Sequence, residues 1–207
     1  VKAIVGGDCS GVTGAVLQNV ARPNGIGMIS PSATSPALST AEDDGLFFRT
    51  APSDARQGEI MADILTEKGI KSVALTYTNN DYGKGLADSF GAAFAAKGGA
   101  VTISAPHDDG KADYSAEVAS LAAAGGEMLI VAGYVDQGGK GIIQASLDSG
   151  AFSTFYLVDG MYGESLIGAI GDGLNGSFGA VPGTDSEGSA KYEEIAKAAG
   201  YDGSNAF

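Results

Sequence analysis

The residues able to do chemistry in this chain are few, and they fall in short turns. Ser10 follows Gly6-Gly7-Asp8-Cys9 at the expected start of a helix. A hydroxyl there, beside unpaired backbone N–H groups, suits a carboxylate or another small anion; from spacing alone it reads first as a helix cap. Ser32, Ala33 and Thr34 lie between two prolines, Pro31 and Pro36. Such a turn offers hydroxyl and backbone groups to a ligand, or uses them to satisfy itself. Tyr82 and Tyr134 stand just beyond expected strand ends, as walls of a cleft or as lids on a core. Asp159 directly follows an apolar run, so its carboxylate either meets a cation or caps a helix.

Catalytic chemistry finds less support. The chain has one cysteine, Cys9, and one histidine, His107. They could in principle form a nucleophilic pair, but no local signature surrounds either. His107 beside Asp108 and Asp109 reads as a solvated loop. Structural zinc would need more Cys and His ligands. The segment 6–13 lacks the Lys-Ser/Thr of a phosphate-binding loop and the three-glycine spacing of a dinucleotide site. A Gly-x-Ser-x-Gly elbow and paired catalytic carboxylates at a recognisable spacing are also missing.

Composition narrows the partners. In 207 residues, 12 Lys+Arg stand against 25 Asp+Glu, a net charge of −13, so a nucleic-acid partner is excluded by the lack of a cationic face. With 18% charged and 44% hydrophobic residues the chain is not a disordered acidic tail. No run approaches the length of a transmembrane helix, and the first residues lack a signal-peptide pattern. Both ends look cut, so a fragment of a longer protein is expected. Glycine, at 33 residues, is about twice as common as usual, which favours close packing and frequent turns.

The elements that must position these residues follow a regular alternation. Short β-branched runs at 73–77, 101–104, 128–131 and 155–158 begin 27 or 28 residues apart, apolar on both faces and bounded by turn residues. Helical stretches at 82–97, 114–124 and 137–149 separate them, with Asp81 and Asp113 as expected N-caps and Gly98, Gly125 and Gly150 as stops. Upstream come a strand at 3–5, a helix at 10–21, a strand at 26–29, a loop at 30–44, a crossing at 49–52 and a helix at 53–68. A last helix is expected at 186–199, then a turn at 200–203. Repeated βαβ units require parallel strands, so the fold class is α/β, doubly wound. The spacing predicts one lobe over 51–182, with 1–50 part of another.

Read together, these segments resemble a known family. Residues 3–13 (AIVGGDCSGVT) and 28–38 (MISPSATSPAL) are similar to the leucine/isoleucine/valine-binding proteins, the type I periplasmic solute-binding proteins of branched-chain amino-acid ABC transporters. The match continues through 48–54 (FRTAPSD), 80–85 (NDYGKG), 113–115 (DYS), Gly133-Tyr134, Gly138, Gln144-Ala145 and Gly150. The resemblance implies doubly wound parallel sheets in two lobes, with lobe 1 incomplete at 1–50, lobe 2 at 51–182 and a return segment at 183–207. It implies a non-enzymatic, extracytoplasmic (periplasmic) protein that needs no cofactor or metal. Its partners would be a small amino acid or related ligand and a membrane permease, and the full-length form would be a monomer.

The same resemblance assigns roles. Ser10 and Thr34 would give hydroxyl and N–H donors to the ligand carboxylate, with Ala33 beside them. The Ser32 carbonyl and the Asp159 carboxylate would hold the ammonium, and Tyr82 and Tyr134 would close over the ligand. Many family members carry Glu where this chain has the shorter Asp159. Members often bridge the Cys9 position to an upstream cysteine, which implies a disulfide in the full-length protein. An alternative of another class is a ligand-sensing module of a regulator or receptor; a Cys9/His107 enzyme is a third.

Overall fold

The computed structural model describes residues 1–183 and 187–201. Strands β1 (Ala3–Val5), β2 (Gly27–Ser30) and β3 (Phe47–Arg49) form one parallel sheet in that order. Strands β4 (Ser72–Thr78), β5 (Ala100–His107), β6 (Met128–Ala132), β7 (Phe155–Leu157) and β8 (Phe178–Gly179) form a second, in the order β5-β4-β6-β7-β8, with every pair parallel. The strands beginning at Ala3 and at Ser72 therefore lie in different sheets. The type of fold expected from the alternating pattern is the one observed.

The central strands β4 and β6 are the long apolar runs of the sequence. Val73, Ala74, Leu75, Leu129, Ile130, Val131 and Ala132 have no exposed surface. Each large side chain so buried contributes roughly 1.5–3 kcal/mol. Helices α2 (Asp54–Glu67) and α3 (Asp81–Ala96) pack against each other, as do α4 (Ser115–Ala124), α5 (Lys140–Ser149) and α6 (Glu164–Ile170) in series. Gly58 makes the α2–α3 approach possible: a Cβ there would lie 2.7 Å from the Phe90 backbone nitrogen. Helix α2 leaves β3 of the first sheet and docks on α3 of the second, so it is the physical link between the two.

Several expectations need correction. Strands buried on both faces hold for β4 and β6 but not for the edge strand β5, which alternates between more and less exposed residues over most of its length. Among the described residues the first sheet is also covered on one face only. Its register sets Ile4, Met28 and Phe47 in one row, packed with Leu17, Ala21 and Leu38 behind helix α1 (Ser10–Val16). Val5, Ile29 and Phe48 form the neighbouring row, and side-chain alternation turns it outward, with Val5 81% and Phe48 61% exposed.

Helix 137–149 starts later than expected, at Lys140. Gln137 and Gly138 have non-helical backbone angles, with Gly138 at φ +111°, where tight packing against His107 and Tyr114 leaves no room for a side chain. The N-cap of α3 is Asn80 rather than Asp81, its side chain accepting the Gly83 N–H at 3.0 Å. Tyr114, not Asp113, occupies the cap position of α4, while Asp113 accepts from the Ser115 N–H at 2.9 Å. Strands β3 and β8 and helix α6 went unanticipated because each is short or glycine-interrupted. Helix α7 (Glu187–Ala198) matches the expected last helix, whose residue 186 and following turn at 202–203 lie outside the described residues.

Candidate ligand-binding site

In the second sheet the chain order reverses at β4, with β5 on one side and β6 on the other. The crevice beyond the carboxyl ends of two such strands is where open parallel sheets bind ligands. Here it is lined by the residues that follow β4, β6 and β7. Asn80 starts α3 so tightly against β4 that a Cβ on Gly83 would sit 2.3 Å from the Thr78 carbonyl oxygen. Tyr82, in that first turn, is consequently 4% exposed and its ring stacks on Tyr134 with centroids 5.0 Å apart. Asp159 opens a one-turn helix after β7. Its Oδ1 accepts from Tyr82 Oη at 2.6 Å and from Gln57 Nε2 at 3.1 Å, while the Gly160 N–H donates to Tyr82 Oη at 3.2 Å.

The first sheet supplies the facing wall. Ser10 is buried, and its Oγ accepts the Ser35 N–H at 3.1 Å, leaving its own O–H free to donate. Cys9 rather than Ser10 occupies the cap position of α1, so Ser10 is the first helical residue. Ser30 Oγ donates to the Gly7 carbonyl at 2.6 Å and accepts the Ala33 N–H at 3.0 Å. Ser32 Oγ reaches the Asp8 carbonyl oxygen at 3.1 Å and also its carboxylate. Arg49, from the end of β3, donates to the Ala33 and Ser35 carbonyls at 3.1 and 2.9 Å and to Ser39 Oγ. A hydroxyl-rich turn that would otherwise be pliable is thereby pinned to residues 7–10 and to β3.

The two walls touch. A Cβ on Gly85 of α3 would lie 2.9 Å from Pro36, and one on Gly11 of α1 would lie 3.4 Å from the Asp81 carboxylate. The Asp54 N–H donates to the Thr34 carbonyl at 2.9 Å, tying the start of α2 to the same turn. Expected site residues thus gather into two groups: Ser10, Ser32, Ala33 and Thr34 on one side, and Tyr82, Tyr134 and Asp159 on the other.

The electrostatics of the seam are dominated by buried acid. Burial pushes the Asp54 carboxyl up to about 7, with Asp159 adding to the rise, while Thr34 and Arg49 pull the other way. Tyr82 and Tyr134 are both raised above their ordinary value, first by burial and then by nearby negative groups, Asp159 for Tyr82 and Cys9, Asp159 and Asp8 for Tyr134. Both phenols therefore remain protonated donors at neutral pH. Burial lowers Arg49, partly offset by the charge of Asp54. Asp54, Gln57 and Arg49 were not singled out from the sequence. An acid after a serine cap looks like ordinary first-turn stabilisation, and no spacing rule joins residue 57 to residue 159.

His107 is not in a solvated loop. Strand β5 runs three residues further than expected, and the ring is 1% exposed, with Nδ1 2.8 Å from Thr76 Oγ1 and an edge contact to Tyr114. Cys9, exposed and unbridged, is not among its partners. Among the described residues no group of three or more His, Cys, Asp or Glu could hold a metal ion. Among them too, no helix is long and apolar enough to cross a membrane.

Comparison with known proteins agrees with this architecture. Residues 1–158 match the family described as the receptor family ligand binding region. A Leu/Ile/Val-binding protein homolog (homolog 3) of Brucella melitensis is 40% identical over 148 residues, covering 66% of this chain and 39% of that protein. The leucine-, isoleucine-, valine-, threonine- and alanine-binding protein of Pseudomonas aeruginosa is 27% identical over 183 residues, covering 88% of this chain and 48% of that protein. The chain thus spans half or less of the length of these relatives. The crystal structure of a leucine-binding protein from Thermotoga maritima superposes with a TM-score of 0.82 at 22% identity, over 96% of this chain and 57% of that one. With two parallel sheets facing each other across a hydroxyl-and-acid seam, the chain has the type I periplasmic binding-protein fold and belongs to the receptor family ligand binding region, where its relatives include Leu/Ile/Val-binding proteins.

Proposed function

We propose that the chain forms the ligand-holding part of an extracytoplasmic solute-binding protein that delivers a small amino acid to an ABC importer. The observation that carries this reading is the facing of two chemically opposite walls at the strand-order reversal: hydroxyl and N–H donors at Ser10 and Thr34, and the Asp159 carboxylate framed by Tyr82 and Tyr134. A zwitterion matches that polarity, its carboxylate toward the first sheet and its ammonium toward Asp159, with stacked aromatic faces excluding water. Residues 1–50 then belong to lobe 1 and 51–182 to lobe 2. The full-length protein would act as a periplasmic monomer that docks on a membrane permease. Its relatives are named as binding proteins, and the reaction of this protein is binding and release rather than catalysis.

Calorimetry on the full-length protein and two variants tests the reading. Asp159→Asn removes the charged partner of a desolvated ammonium and should weaken amino-acid binding by about 3–5 kcal/mol. Ser10→Ala leaves backbone donors in place and should cost about 1–3 kcal/mol. Near-normal affinity in Asp159→Asn would show that the ligand is not a cationic amine or that Asp159 is a structural cap.

A further inference from the structure

His107 takes no part in the two walls of the crevice, yet it is buried behind one of them, and its Nε2 has no hydrogen-bond partner among the described residues. One side of the ring stands on paired strand: Nδ1 lies 2.8 Å from Thr76 Oγ1, and the His107 carbonyl accepts the Asn79 N–H at 3.0 Å. The other edge meets the segment 133–138. A Cβ on Gly133 would lie 3.1 Å from Nε2, and one on Gly138 would lie 3.0 Å from Cδ2. Between these two glycines stands Tyr134, whose ring stacks on Tyr82. An added Cβ on Gly160 would run into the Gly133 carbonyl, and the Gly160 N–H donates to Tyr82 Oη. The histidine is therefore packed behind the whole aromatic wall.

The charged groups around the ring are engaged elsewhere. Asp108 and Asp109, after β5, accept from Asn79 Nδ2 at 3.1 Å and from Thr78 Oγ1 at 2.7 Å. Glu117 on α4 pairs with Lys111, and Asp136, exposed beyond β6, pairs with Lys140. Tyr114 meets the ring edge-on and donates to the Asp108 carbonyl at 3.0 Å. A neutral imidazole tolerates this setting. An imidazolium has an N–H on both nitrogens, so Nε2–H would face glycine backbone while a full charge sits out of water. Burial accordingly lowers His107 below its ordinary value despite Asp109, Glu117 and Asp108. Strand β5 is paired to β4 along its length, whereas Gln137 and Gly138 have non-helical backbone angles, so 133–138 is the side that yields.

We propose that His107 is a positioning residue for Tyr134: neutral, its ring props segment 133–138 and the aromatic wall in place, and on gaining a proton from solvent it displaces that segment and releases the ligand. The proposal rests on the reading of Tyr134 as a wall of an amino-acid site and adds acid-triggered release to it.

Two measurements on the full-length protein test it. In protein labelled with 3-fluorotyrosine, the Tyr134 resonance, assigned with Tyr134→Phe, should shift with the same midpoint as the His107 ring protons, below pH 6.5. That step should be absent from His107→Gln. Calorimetry with L-leucine and L-alanine at pH 7.5 and 5.0 should show native affinity falling on acidification about tenfold more than that of His107→Gln, the change that one pKa unit carries. Comparing the two profiles removes the titration of Asp54, which both proteins share. A Tyr134 resonance that ignores the His107 titration, or equal acid losses in both proteins, overturns the proposal. The native resonance titration decides even where the variant does not melt cooperatively. If native protein binds neither probe at pH 7.5, the amino-acid reading falls, while the coupling of His107 to Tyr134 is still decided by the resonance.

Discussion

Tyr82 Oη donates to Asp159 Oδ1 at 2.6 Å across 77 positions of the chain, and the same oxygen receives the Gly160 N–H at 3.2 Å. One phenol therefore joins the start of α3 to the turn after β7, on the two sides of the strand-order reversal. The carboxylate is held in place before any ligand arrives.

Removing that hydroxyl should be felt in both fold and site. Tyr82→Phe keeps the stacked ring but leaves Asp159 with Gln57 alone and the Gly160 N–H unpaired. A hydrogen bond to a charged group contributes about 1.5–3 kcal/mol. For a chain of this size that corresponds to a fall in melting temperature of roughly 3–12 °C, readable by calorimetry. An unchanged melting temperature would show that the bond contributes nothing net.

Asp54 and His107 should give the stability opposite slopes with pH. The Asp54 carboxyl titrates near 7 in the folded chain, above the ordinary value of 3.8, so the folded state holds a proton that the unfolded state has already lost. That contribution is complete below about pH 4 and is lost as pH rises through about 7, amounting to roughly 4 kcal/mol between the limits. Burial lowers His107, against the pull of Asp109, Glu117 and Asp108. Its contribution is present above the ordinary imidazole range and is lost as pH falls below it. Urea midpoints from pH 4.5 to 8 should show Asp54→Asn becoming more stable than the native chain at the alkaline end. The variant should keep only the acid-side loss due to His107; identical profiles for both proteins would refute the assignment.

Two glycine substitutions should act in opposite directions. A Cβ on Gly160 would sit 2.4 Å from the Gly133 carbonyl oxygen and 3.0 Å from Tyr82 Oη, so Gly160→Ala must push the ends of β6 and β7 apart. Gly91, inside α3, has nothing within 4 Å of an added Cβ, and Gly91→Ala should stabilise by about 0.5–1 kcal/mol. Denaturant titration of both variants checks the contrast. A Gly160→Ala protein as stable as native would mean that the turn after β7 is not held by this contact.

How far the sequence could be read depended on whether a feature is local. The buried runs at 73–77 and 128–131 and the glycine stops at Gly98, Gly125 and Gly150 carry their structure in their own composition. Strand β3 does not: three residues, Phe47–Arg49, pair because β2 offers a free edge, not because of any pattern of their own. Ser10, Ser32, Thr34, Tyr82, Tyr134 and Asp159 could be singled out because each follows an expected strand. Asp54, Gln57 and Arg49 sit on a helix start and a strand end that look ordinary. Their partners, at Thr34, Asp159 and Ala33, are set by how the two sheets meet. The burial of His107 was hidden for the same reason, since only the neighbouring strand shows that Thr76 would receive its ring.

The outward row of Val5, Ile29 and Phe48 also bears on how this chain behaves in concentrated solution. Three large apolar side chains abreast on a parallel sheet form an adhesive strip, and the principal force keeping two such strips apart is the mutual repulsion of molecules with net charge −13. That repulsion extends over a Debye length, about 30 Å at 0.01 M salt and about 3 Å at 1 M. Colloidal behaviour should therefore invert the usual remedy for sticky proteins: dilute buffer keeps the 207-residue chain dispersed, and added salt clusters it.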